Sequence, residues 1–247
     1  MLLHLRAYAH FAYCAYARIY IGRRPDLTLT ARYAQKELTM PSLLHVSASP
    51  RGAESESLAI ARTFLDTLQD TRPDVTVDTF DLWDGSLPAF GPAAAAAKMN
   101  VFAGQVPAGD RAVAWQAAER TFGRFAAADY YLFSVPMWNH GIPYVLKQFI
   151  DVVSQPGMVF SFDPERGYTG LLTGRRAVAV YTSAVYGTGR PAAFGTDFQA
   201  PYLRDWLAWA GITDATEIHF RPNLATADAD AGREAAHAAA REAAKRF

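Results

Sequence analysis

The chain predicts an α/β fold: a doubly wound sheet of five mainly parallel strands, in three α/β/α layers. Two patterns carry this expectation. Short apolar runs alternate with stretches whose apolar residues recur at helical spacing, the order of a parallel sheet covered on both faces. With 247 residues, 51% of them apolar and 19% charged, the chain can bury such a core without a disulfide or a metal.

The elements follow in order from Met40. Residues 43–46 form a short apolar run, read as a buried strand. Residues 55–68 place Leu58, Ala61, Phe64, Leu65 and Leu68 at helical spacing, and Pro73 ends the pattern. Residues 75–80 alternate with period two and predict a second strand. Residues 84–110, rich in Gly, Pro and Ala, read as a long connection with a short helix through the alanine run. A helix over 112–125 and a strand over 130–135, ending at Pro136, come next. Pro143 opens a helix over 145–153, where its missing N–H costs nothing. Residues 158–162 alternate again, as half of a small hairpin closed around Gly167 and Gly170. A strand over 177–181, a helix over 198–209 ended by Gly211, and a strand over 216–220 complete the sheet. The last helix, 228–246, is Ala-rich and is expected on the surface.

Composition narrows the function. Lys+Arg and Asp+Glu are both 24, so the chain lacks the basic excess of a general nucleic-acid binder. No stretch of about 20 apolar residues is free of charge, so no membrane span is expected. A single cysteine, Cys14, excludes internal disulfides and cysteine-rich zinc sites and points to a reducing, cytoplasmic compartment. The six histidines are scattered without metal-ligand spacing, so no metal site is expected.

Charge also divides the chain. Residues 1–39 carry six basic and two acidic residues, net +4, which leaves −4 on residues 40–247. Arg6 and His10 interrupt the apolar start, which argues against a secretory signal. A transit peptide fits on composition alone. We read 1–39 as a poorly ordered extension outside the chemistry and 40–247 as the functional domain, with Met40 a candidate translation start.

Ligands of doubly wound sheets bind at the carboxyl ends of the strands. The loop after the first strand, residues 47–57, holds four serines, Arg51 and Gly52 ahead of a helix. Helix N-termini bind phosphate through unpaired N–H groups and a partial positive charge, and Ser49, Ser55 and Ser57 add hydroxyls. Capping alone explains one serine; four exceed what a cap needs. The nucleotide P-loop and the G-x-G-x-x-G dinucleotide pattern are both missing. The loop after the third strand reads Val135-Pro-Met-Trp-Asn-His-Gly-Ile-Pro-Tyr144. Met137 and Trp138 offer apolar surface, Asn139 an amide, and Gly141 close backbone approach, a set that suits the edge of a flat heterocycle. Taken singly, Trp138 also reads as a packing residue and His140 as a surface residue. The loop over 182–189 is polar, bears glycine and faces the same cleft.

Together these loops resemble the FMN-dependent NADH-azoreductase and NAD(P)H quinone-reductase family, which has the flavodoxin-like fold. The resemblance runs from about residue 43 to the C-terminus. The S-x-S-P-R-G-x-x-S-x-S stretch carries over Ser49, Ser55, Glu56 and Ser57 as FMN phosphate contacts. The P-M-W-N-H-G-I-P segment places Pro136, Met137, Trp138, Asn139 and His140 beside the isoalloxazine ring. Ser183, Ala184, Val185 and Tyr186 stand where many members have S-R-G-G and are carried over as further flavin contacts. Trp138 replaces the commoner tyrosine and His140 the commoner phenylalanine. The family implies a homodimer with active sites at the subunit interface. It also implies ping-pong turnover, in which NADH or NADPH reduces FMN and the flavin reduces a quinone or an azo bond. His140 is a candidate proton donor, and the helix from Pro143 is expected to aim its positive end at the cleft. The alternatives are a flavodoxin-type electron carrier and a non-catalytic FMN-binding regulatory protein.

Overall fold

The computed structural model describes residues 40–224 and 226–247; the expectations placed on 1–39 lie outside them. The elements are β1 (Ser42–Ser47), α1 (Glu56–Thr71), β2 (Thr76–Asp81), α2 (Pro92–Phe102), α3 (Asp110–Ala127), β3 (Tyr130–Pro136) and α4 (Tyr144–Val153). Then come β4 (Phe160–Asp163), β5 (Gly167–Gly170), β6 (Arg176–Thr182), α5 (Ala200–Ala210), β7 (Asp214–Phe220) and α6 (Ala229–Ala244). Five strands form one parallel sheet in the order β2-β1-β3-β6-β7. The chain leaves β1 toward β2 on one side and returns to β3 on the other, so the switch point lies between β1 and β3.

Alternation along the strands divides the core. Leu43, Leu132, Val178, Val180, Ile218 and Phe220 face α1 and α6. Leu44, Val46, Tyr131, Phe133, Val135, Ala177 and Ala179 face α3, α4 and α5, which supply Phe125, Leu146, Phe149, Leu203 and Trp206. Both faces are buried, which is why β1, β3 and β6 read as continuous apolar runs. β2 is an edge strand in which Phe80 alone is buried, so the alternation over 75–80 does not mark a core face.

Two expectations need correction and two are sharpened. The alanine-run helix is α2, eleven residues long, entered from Gly91 through Pro92. α5 begins at Ala200, with Gln199 as its cap residue, and not at 198; the Asp197 carboxylate accepts hydrogen bonds from the Gln199 and Ala200 N–H groups just ahead of it. α6 is not simply a surface helix: Ala236, Ala240, Ala243 and Ala244 are buried against α1 and the sheet. Alanine permits that close approach while contributing little hydropathy. The hairpin is β4 with β5, Phe160 opposite Gly170. It docks where Gly170 meets Gly211 at the end of α5, and a Cβ on Gly170 would lie 2.3 Å from the Gly211 nitrogen.

Candidate functional site

β1, β3 and β6 deliver three loops to one edge of the sheet. The first leaves Ser47 and enters α1. Ser55 caps that helix, its hydroxyl accepting from the Leu58 N–H at 3.4 Å and lying 3.1 Å from the Ser57 hydroxyl. Ser49, Ser55 and Ser57 are all buried. The Ser49 Oγ differs from its neighbours: it is buried and has no hydrogen-bond partner. A buried polar atom without a partner costs about 1–3 kcal/mol unless a ligand supplies one. Beside it the first turn of α1 leaves N–H groups without intrahelical acceptors. The Glu56 carboxylate is taken up by Arg233 at 2.9 Å, so Glu56 offers this loop its main chain and not its charge. A phosphate monoester, with its several acceptor oxygens, matches that donor set.

Below this loop His45 points from β1 into the buried face, its Nε2 2.7 Å from the Ser134 hydroxyl. Burial pushes its pKa down to about 4, so the imidazole is neutral at neutral pH.

The loop after β3 is a tight turn. Trp138 and Gly141 exchange both N–H···O bonds at 2.9 Å. Asn139 (φ 47°) and His140 (φ 72°) occupy the two central positions, both left-handed. Two such residues define a type I′ turn, which asparagine tolerates and histidine does not favour. The turn thrusts Asn139 and His140 outward, and both are exposed. Gly141 is not left-handed, and a Cβ there would find no protein atom nearer than the Trp138 oxygen at 3.9 Å. The space it leaves belongs to the cleft and not to a neighbouring element.

That cleft is open, about 740 Å³ in volume, and lined by Phe90, Trp138, Asn139, Gly141, Ile142, Tyr144, Phe198 and Tyr202, with Lys147 and Asp151 paired at 2.6 Å. Sequence reasoning missed an aromatic residue packed against that lining, Trp83. The Trp83 ring lies 5.6 Å from Trp138 and 5.3 Å from Tyr144, and its indole N–H donates to the Ala48 oxygen at 3.1 Å. It thus ties the serine loop to the turn. Its place directly after β2 was the available signal, since that strand also ends at the ligand edge.

The loop after β6 is held from within. Ser183 Oγ donates to the Tyr186 oxygen at 2.5 Å, and the Tyr186 ring sits 5.3 Å from the Arg221 guanidinium. Ala184 and Val185 are exposed. Gly187 is required here, because a Cβ would come within 2.6 Å of Pro222. Pro136 ends β3 beside Thr182, and the Met137 N–H donates to the Thr182 oxygen at 2.7 Å, which joins the second and third loops. The predicted residues therefore fall into three adjoining groups along one edge: Ser49, Ser55, Glu56 and Ser57; Pro136 to His140; and Ser183 to Tyr186.

Comparison with known proteins agrees with this architecture. Residues 41–245 match a family described as having the flavodoxin-like fold, Flavodoxin_2. The FMN-dependent NADH:quinone oxidoreductase of Ruegeria pomeroyi is 46% identical over 201 residues, covering 81% of this chain and 98% of that protein. The enzyme of the same name from Desulfotalea psychrophila is 38% identical over 185 residues, 75% of this chain and 87% of that one. Among solved structures, the azoreductase of Bacillus anthracis superposes with a TM-score of 0.78 at 25% identity, over 84% of this chain and all of that one. The chain therefore belongs to the Flavodoxin_2 family, in the company of the FMN-dependent NADH:quinone oxidoreductases.

Proposed function

We propose that this protein is an FMN-dependent NADH:quinone oxidoreductase that reduces quinones by two electrons in ping-pong fashion and cleaves azo bonds of aromatic azo compounds. The observation that carries the reading is the partnerless buried Ser49 hydroxyl beside the α1 N-terminus, one loop away from an open aromatic cleft at the β1/β3 switch point. The names of the relatives support the donor and the quinone; the name of the Bacillus anthracis neighbour supports the azo substrate.

When bound, FMN supplies the redox chemistry, accepting hydride from NADH or NADPH and passing two electrons on. The protein binds, orients and shields. Ser49, Ser55 and Ser57, with the Glu56 and Ser57 N–H groups, hold the phosphate. Pro136 to His140 and Ser183 to Tyr186 would hold the ring. Trp138 and Tyr144, tilted and edge to face with each other and with Trp83 behind them, give the cleft an aromatic wall for a flat acceptor. α4 starts at Tyr144, on the cleft lining, without a side-chain cap, and its positive end favours negative charge gained at the cleft. His140 Nδ1 accepts from the Thr196 N–H at 3.4 Å, so Nε2 carries the ring proton; it can pass that proton to a reduced quinone only as Nδ1 takes up another from water. Exposed Tyr144, Phe198 and Tyr202 at the cleft rim fit a homodimer that covers the site. The single cysteine and the absence, among the described residues, of a helix able to cross a membrane fit a cytoplasmic enzyme.

The test is the visible spectrum of the purified protein. A yellow protein bleached by NADH and recoloured by a quinone supports the reading, and NADPH in parallel fixes the donor. Colourless folded protein that refuses added FMN overturns it. His140→Phe is expected to slow quinone turnover while retaining FMN; equal turnover removes His140 from proton delivery.

A further inference from the structure

The segment from Gly195 to Gln199, just before α5, makes contacts that the reading above does not use. Gln199 is completely buried. Its Nε2 donates to the Val135 oxygen at 2.7 Å and to the Thr182 oxygen at 3.4 Å. Those carbonyls lie at the carboxyl ends of β3 and β6, where the chain runs on into the two loops that border the ring side of the site. One carboxamide therefore spans both strands at the point where they diverge into loops.

The same segment holds the left-handed turn. The Phe198 N–H donates to the His140 oxygen at 2.9 Å, and the Thr196 N–H reaches His140 Nδ1. Gly195 (φ 109°) lies against the imidazole, where a Cβ would come 3.4 Å from Nε2. Non-glycine residues in the left-handed region persist only where their surroundings over-determine them. Here the surroundings are this segment and the Trp138–Gly141 bonds.

The segment is anchored in turn. Asp197 accepts from Arg221 at 2.7 Å, and the Arg221 side chain is only 5% exposed. Arg221 also donates to Gln199 Oε1 at 3.4 Å and to His219 Nδ1 at 2.7 Å. Because arginine always donates, His219 Nδ1 must be the acceptor, and its Nε2–H faces Glu217 at 3.1 Å. A continuous polar chain thus runs from β7 to the Asn139–His140 turn.

We propose that Gln199 is a positioning residue for the flavin ring: it fixes the spacing of the loops after β3 and β6, and through Phe198 the geometry of the turn between Trp138 and Gly141. The inference rests on the cleft being an FMN site. It assigns Gln199 to the ring end and not to the phosphate end, a distinction that an ordinary packing role does not make.

The experiment titrates the full chain with FMN and, separately, with riboflavin, which has the ring but no phosphate. Gln199→Met is compared with Ser49→Ala. The expectation is that Gln199→Met weakens both flavins by the same factor, about tenfold, equivalent to 1.4 kcal/mol, and shifts the potential of bound FMN. Ser49→Ala weakens FMN alone. Unchanged affinity for both flavins in Gln199→Met, or a loss confined to FMN, overturns the proposal. A wild-type chain that binds neither flavin overturns the site reading instead. Should Gln199→Met not fold, amide exchange of the wild type decides. The Phe198 and Gly141 amides are expected to slow together on saturation with FMN; a slowed Gly141 with an unchanged Phe198 overturns the coupling.

Discussion

Ser49→Ala has two consequences of opposite sign. In the flavin-free protein the Ser49 hydroxyl is buried without a partner. Removing it deletes a desolvation cost of about 1–3 kcal/mol and leaves a gap of one atom. A net gain near 1 kcal/mol raises Tm by about 2–4 °C in a domain of this size. In the proposed FMN complex the same hydroxyl would face the phosphate, and hydrogen bonds to charged groups contribute about 1.5–3 kcal/mol. FMN affinity should then fall by roughly ten- to a hundredfold. Ser55→Ala serves as the control, because Ser55 caps α1 through the Leu58 N–H. Loss of that cap costs about 1 kcal/mol, so its flavin-free Tm should fall. Thermal melts of the two variants without flavin and fluorescence titrations with FMN give both readings. A lower flavin-free Tm for Ser49→Ala, or unchanged FMN affinity, refutes the reasoning.

Three further outcomes are expected. Burial lowers the His45 pKa from 6.5 to about 4, so the unfolded chain takes up a proton that the folded chain refuses. Stability is full above pH 6.5 and falls with pH toward 4, by at most about 1.4 kcal/mol per unit. Denaturant melts of His45→Gln should fall less over that window than those of the wild type; His219, whose pKa desolvation also lowers, adds a loss of the same sign in both proteins; parallel curves exclude His45. Gly170→Ala drives a Cβ to within 2.3 Å of the Gly211 backbone and should cost about 1–3 kcal/mol. Gly123→Ala, in the exposed middle of α3 with nothing within 4 Å, should gain about 1 kcal/mol in the same denaturant assay, and equal signs for the two would defeat the argument. Asp197→Ala strands the buried Arg221 and should cost about 3–5 kcal/mol. Glu234→Ala, which breaks an exposed pair with Arg241, should cost under about 1 kcal/mol, and comparable losses would argue against a buried-pair role.

What the sequence disclosed followed the range of the forces involved. β1, β3 and β6 were legible because burial on both faces demands unbroken apolar runs. The start of α1 at the serine loop was legible because capping acts within a few residues of one helix end. β2 was found through its period-two alternation, although that alternation marks no buried face; Val77 is 38% exposed. The buried stripe of α6 escaped because alanine adds little to hydropathy, although the spacing of Ala236, Ala240, Ala243 and Ala244 was in view. Trp83 and Gln199 were beyond reach for another reason. Each acts through a hydrogen bond to a distant backbone carbonyl, 35 residues away at Ala48 and 64 at Val135, and no local pattern encodes such a partner.

The turn after β3 shows where a local rule misleads. By the local rule, glycine is the residue that takes the left-handed position of such a turn. Instead Asn139 and His140 are left-handed, and Gly141 is not. Glycine's freedom of φ is therefore not the reason for glycine at 141. Nor does protein crowd it, since nothing stands nearer than 3.9 Å to where its Cβ would be. What remains is the cleft that Gly141 lines, where a side chain would occupy ligand space. The strain is then carried by residues whose side chains the proposed site would use, and the glycine is kept for the room it leaves. A turn built for stability alone would place glycine at a left-handed position. This one spends its glycine on the cleft and relies on the segment from Gly195 to Gln199 to hold the rest.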